Sequence, residues 1–110
     1  MTIESERMVG LVRKIVAAGP AEREAGAENA SDWADVFDEA EARLVTAVLS
    51  VAASAESSEQ AREAQLHAIF EISTRFSMDG TELDPLRRLR ADEVNAAQSQ
   101  YLAELGISPA

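Results

Sequence analysis

Residues 44–53, LVTAVLSVAA, are apolar nearly all round a helix and carry no charge. A helix without a polar face belongs in the middle of a fold. Ser31 or Asn29 is the expected cap of this helix, which runs to about Ala53. Trp33, Val36, Phe37, Ala40, Leu44, Val48 and Val51 are expected on its buried face. After a break at Ser54 to Ser58, Ser57 and Gln60 have the spacing of a capping box for a further helix to about Ser77. Ala61, Ala64, Leu66, Ala68, Ile69, Phe70, Ile72 and Phe76 again cover more than one stripe. Two broadly apolar helices joined by so short a break are expected to pair antiparallel as a core hairpin.

Around this pair the punctuation predicts shorter elements. Met8, Leu11, Val12, Ile15 and Val16 recur at helical spacing and predict a first helix from about Ile3 to Ala18. Gly19-Pro20 ends it. Residues 21–30, AEREAGAENA, are polar and interrupted by Gly26, which predicts a linker with at most a helical turn. Met78-Asp79-Gly80 reads as a turn. Asp84-Pro85 opens a short helix that holds Leu86 and Leu89. Asp92 is the expected cap of the last helix, whose stripe is Val94, Ala97, Tyr101, Leu102 and Leu105. Gly106-Ile107 has the form of a glycine C-cap with its hydrophobic contact, and Pro109 closes the chain. No segment alternates with period two over a strand length. The expected fold is all-α: a small bundle of four main helices plus one short helix in a single domain, 1–110.

At 110 residues the chain has enough length for a modest core without covalent staples. It has no cysteine, so disulfides, thiolate metal sites and cysteine nucleophiles are excluded, and a reducing cytoplasm fits. The N-terminus, MTIESERMVGLVRK, lacks the basic start and long apolar stretch of a signal peptide. A net charge of −10 with pI near 4.4 argues against nucleic acid and anionic membranes. It favours solubility and fast association with a basic partner. Alanine is abundant and arginine outnumbers lysine nine to one, a bias that a GC-rich bacterial genome writes.

The acids are not spread evenly. Residues 22–41 hold eight carboxylates against one arginine, Arg23, with Trp33 and Phe37 among them. On a continuous helix, Glu28, Asp32, Asp35 and Glu39 would share one face. Such a row of like charges destabilises a helix, so a chain that keeps it is expected to use it. Asp32 and Asp35 would also favour the helix dipole in a first turn. The candidate partner-binding surface is Glu28, Asp32, Trp33, Asp35, Phe37, Asp38, Glu39 and Glu41. Trp33 and Phe37 would anchor it, and the carboxylates would steer and specify the partner.

Other chemistry is thinly represented. His67, the one histidine, shares a helix face with Glu63 and Glu71. Di-iron bundles need Glu-x-x-His from two helices, and the chain has none. Nothing pairs a nucleophile with His67. Asp79, Glu82 and Asp84 lack the ligand order of a calcium loop, and phosphate-cradling glycine loops are absent. Arg75, Arg87, Arg88 and Arg90 are expected to neutralise the acidic second helix or the loop acids at 79–84. No enzyme activity, cofactor or metal is expected.

Small, acidic, cysteine-free helical bundles of this kind resemble the immunity proteins of bacterial toxin systems. The stretch REAQLHAIFEISTR (62–75), followed by ELDPLRRL (82–89) and a last helix, is similar in style. The resemblance covers the C-terminal half. It implies a stoichiometric inhibitor of a cognate toxin, whose surface is basic where the toxin is a nuclease. The alternative is a helical scaffold or homodimerisation module that uses its apolar faces and has no inhibitor role.

Overall fold

A computed structural model describes residues 3–78 and 80–110 of the chain. The fold is all-α. Six helices follow one another: α1 (Ser5–Ile15), α2 (Pro20–Asp32), α3 (Glu39–Ala55), α4 (Glu59–Ser73), the single turn α5 (Gly80–Leu83) and α6 (Ala96–Glu104). Two 3₁₀ turns, Asp84–Arg88 and Ala91–Glu93, lie between α5 and α6. The described residues contain no strand, and none of their helices is long and apolar enough to cross a membrane. Asp79 of the expected turn at 78–80 lies outside the described residues.

The centre of the bundle is α4, which packs against α2, α3 and α6. Its buried side includes Leu66, Ala68, Ile69 and Ile72. Ser58 caps α4 by accepting a hydrogen bond from the Ala61 amide at 3.2 Å, one residue later than the expected Ser57. Its end at Ser73 comes one turn before the expected Ser77.

Residues 21–30 are not a linker; they form most of α2. Pro20 occupies its first turn, where a missing N–H is harmless. The helix has no apolar stripe because it packs through small residues: Gly26, Ala27 and Ala30 are its buried positions. A Cβ at Gly26 would stand 2.7 Å from the Ile15 amide nitrogen and 2.8 Å from the Lys14 carbonyl carbon. Gly26 is therefore what allows the α2 backbone to lie against the end of α1. Hydrophobic periodicity does not register a helix whose core contacts are alanine and glycine.

The next helix also departs from expectation. Neither Asn29 nor Ser31 caps it, since both sit inside α2. Asp38 is the cap of α3: its side chain accepts from the Glu41 amide at 2.8 Å, and Glu41 accepts from the Asp38 amide at 2.9 Å. The buried side of α3 is Ala42, Val45, Thr46, Leu49, Ser50 and Ala53. Of the face expected inside, Phe37 precedes the helix and is buried, while Ala40, Leu44 and Val51 are exposed. A segment apolar all round leaves its inward side open, and packing on α4, α5 and the first 3₁₀ turn chose a different one.

At the other end, Leu83, Leu86 and Leu89 enter the core from α5 and the turn that follows. Asn95, not Asp92, caps α6, accepting from the Gln98 amide at 2.8 Å. The expected glycine stop is present. Gly106 has φ 75°, the Ile107 amide reaches the Leu102 carbonyl at 2.8 Å, and the Gly106 amide reaches Ala103 at 3.0 Å. Ile107 is buried beside Leu102 in the core.

Gly10 and Gly26 separate propensity from packing. Alanine at Gly10, which has nothing within 4 Å of its would-be Cβ, is expected to stabilise the fold by about 1 kcal/mol. Alanine at Gly26 gains the same propensity but must push α1 away, for a net loss of roughly 1–2 kcal/mol. Urea denaturation of the two variants checks the opposite signs.

Candidate functional site

The acidic segment does not form one helical row. Glu28 and Asp32 are on α2, Asp35 is in the turn between α2 and α3, and Glu39 is the first residue of α3. The expected single face is corrected by the helix break at Trp33, which serves as the C-cap of α2. The expectation that Asp32 and Asp35 occupy a first turn fails for the same reason.

The remaining members have structural work of their own. Phe37 is 4 % exposed and belongs to the core. Trp33 is half-buried, and the Arg7 guanidinium lies over its ring at 4.9 Å, a cation–π distance. Asp38 and Glu41 form the capping box of α3, and the second oxygen of Glu41 accepts from the Ile3 amide at 2.9 Å. Glu39 is exposed, with Arg43 at 3.6 Å. Asp32 and Asp35 are exposed.

Charge gathers elsewhere. Glu24 and Glu28 of α2, Glu59, Glu63 and His67 of α4, and Tyr101 of α6 line an open groove of about 370 Å³. Both helices contribute their acids at four-residue spacing, so each presents its carboxylates on the side facing the other. No arginine or lysine lines the groove. The Asn95 amide donates to Glu59 at 3.0 Å and to Glu63 at 3.2 Å. That neutral donor holds the two carboxylates together without cancelling their charge. His67 lies 3.3 Å from Glu71 and 5.7 Å, ring to ring, from Tyr101. Among the described residues no group of acids and histidine is close enough to hold a metal ion. What the groove offers is a concentrated negative field beside an aromatic wall. Of its residues only Glu28 belongs to the expected surface, because the groove depends on α2 being a helix.

The two walls are held in place by a buried ion pair. Arg23 on α2 reaches Glu56 in the α3–α4 loop with two bonds, Nε to Oε1 at 2.7 Å and Nη2 to Oε2 at 2.8 Å. The Glu56 side chain is fully buried. It also accepts from the Ser58 amide at 3.1 Å and from Gln65 at 2.8 Å. Arg23 Nη1 donates to the carbonyls of Ala17 and Ala18 after α1. Arg62 of α4 donates to the Glu56 carbonyl and, at 2.8 Å, to the Glu93 carbonyl. One arginine–carboxylate fork thus joins α1, α2 and the start of α4. Nothing at the sequence level couples Arg23 to Glu56, which are 33 residues apart. The only signal was a lone base among acids and a lone acid among serines and alanines.

Of the basic cluster, Arg87 meets one of the expected loop acids, while Arg75 and Arg90 pair with acids outside both expected groups. Arg87 lies 3.4 Å from Asp84, Arg90 2.6 Å from Asp92 and Arg75 3.9 Å from Glu71. Glu82 pairs with Arg43 at 2.7 Å.

Burial pushes the Glu56 carboxyl up, but the bonds from Arg23, Ser58 and Gln65 outweigh it and bring it from 4.5 down to about 2. A folded-state value below the unfolded one adds stability that is present above pH 4.5 and lost as pH falls through 2. The amount is on the order of 3 kcal/mol. Urea midpoints between pH 6 and 2 should fall steeply in the native chain and less so in Glu56→Gln. Arg23→Gln leaves a buried carboxylate without its cation and is expected to lower the urea midpoint at neutral pH.

No protein-family model, curated protein or solved structure matches this chain.

Proposed function

We propose that this chain is a non-enzymatic binding protein that takes a basic protein surface on the groove between α2 and α4. In its specific form, it is a bacterial, cytoplasmic immunity-type inhibitor of a basic toxin domain. The observation that carries this reading is the groove itself: Glu24, Glu28, Glu59 and Glu63 converge there with no arginine or lysine among the lining residues. In a chain of net charge −10, carboxylates are expected to be kept apart unless something cationic meets them. His67 and Tyr101 add flat, partly apolar surface of the sort that anchors an interface. Arginine and lysine side chains of a partner fit this chemistry, each with an acceptor within reach on either wall. An inhibitor of this kind works by covering the partner's basic surface, so it needs no catalytic group. The exposed acids Asp32, Asp35 and Glu39 add to the field that draws the partner in.

The test compares tagged native protein with Glu28→Lys/Glu63→Lys in parallel pull-downs from lysate of the source cell. The native chain should retain one basic partner at equal stoichiometry and suppress its activity, and the reversed chain should lose it. With the purified partner, the association rate should fall at least tenfold between low and high salt. Asp35→Lys/Glu39→Lys should slow association by a smaller factor. A partner held equally well by the groove-reversed chain, or a rate indifferent to salt, would exclude the groove as the binding face.

A further inference from the structure

On α3, residues 44–55 hold no charged side chain, although the chain as a whole is strongly acidic. The helix buries one side of this stretch and leaves the other in solvent: Leu44 is 49 % and Val51 57 % exposed. Val16, which follows α1 and is 58 % exposed, borders the same surface. Val16, Val51, Ala52 and Ala55 line a groove between α3 and the end of α1, which Arg23 and Glu56, paired with each other, also line. Val48, partly buried, lies between Leu44 and Val51 along the helix. The other large apolar side chain this exposed among the described residues is Val9 of α1, at 49 %.

We propose that this face of α3, widened by Val16, pairs with the same face of a second copy of the chain to form a reversible, two-fold symmetric dimer. Two arguments favour a second copy over another occupant. The first is electrostatic. Two molecules of charge −10 repel wherever acids meet, and the outer side of residues 44–55 is a surface on which they can touch without opposing like charges. A basic partner is drawn instead to the acids on the α2–α4 side.

The second argument is the register. In an antiparallel pair of α3 helices with the two-fold axis midway between Leu49 and Ser50, Leu44 of one copy comes level with Ala55 of the other. Val48 comes level with Val51 of the other. Large opposes small at the ends and equal opposes equal at the centre, as interdigitating ridges require. The spacings 44, 48, 51, 55 are those of a helix–helix seam. A seam of three turns is short, so the pair it forms is a weak and reversible one.

The reading does not rest on the α2–α4 groove, and salt separates the two. Screening weakens attraction to a basic partner but strengthens association of two like-charged copies. Sedimentation equilibrium of the full chain, from about 10 μM to 1 mM, should show monomer and dimer whose dissociation constant falls as salt rises. Val51→Glu should raise that constant at least tenfold while circular dichroism stays native. Glu28→Lys/Glu63→Lys should not weaken the dimer. Because the chain has no cysteine, Val51→Cys can be tested alone: a short bismaleimide should join two Val51→Cys chains and not two Ser99→Cys chains, whose label sits on α6. A monomer at every concentration and salt would overturn the proposal and leave the face to a different protein. A dimer indifferent to Val51→Glu, or equal cross-linking at both positions, would place the contact elsewhere and overturn it too.

Discussion

The fold is organised round a buried fork between Arg23 and Glu56. A carboxylate with no exposed side-chain surface is costly unless every lone pair is used. Here Arg23, Gln65 and the Ser58 amide use them. The geometry this demands is strict, and it reaches well beyond the pair. Arg23 comes from the start of α2, so the contact fixes where that helix sits. Its remaining nitrogen takes up the carbonyls at the end of α1, so the α1–α2 turn is fixed as well. The carboxylate sits in the loop that launches α4, so the direction of the central helix is set by the same contact.

Close packing without large side chains complements this fork. α2 approaches α1 through Gly26 and is buried at Ala27 and Ala30. Small residues on an inward face bring helix axes together, and the hydrophobic contribution then comes from Ile15, Leu66 and Ile69, which they allow to close up. The result is a helix that is polar over most of its surface yet central to the architecture. Its exposed side is free to carry Glu24 and Glu28, which α4 meets with Glu59 and Glu63.

The surface is consequently divided. Carboxylates concentrate between α2 and α4, while the outer side of α3 bears no charge from residue 44 onward. Charged groups act at long range and select partners by sign, whereas an apolar face acts only on contact. The proposed basic partner and the proposed second copy would therefore meet the protein on separate sides. The arginines at 75, 87 and 90 take no part in this division, because each answers an acid close by in the chain.

Much of this is legible in the sequence. The absence of two-residue alternation gave the all-α class, the near-uniform apolarity of 44–53 announced a long helix, and Gly106-Ile107 marked the final stop, because each is a local property of consecutive residues. Asp84-Pro85 likewise marked the short helical turn that holds Leu86. The helix at 20–32, the inward side of α3 and the Arg23–Glu56 fork were not legible. A helix packed through glycine and alanine has no hydrophobic period, a helix apolar all round has no preferred side, and an ion pair across 33 residues leaves no trace in either neighbourhood. The sequence by itself determined where the chain is helical by pattern and how much negative charge it carries. Only the tertiary structure decided which acids stand together, because the turn after Asp32 dissolves the row seen in sequence and the packing of α2 on α4 assembles another.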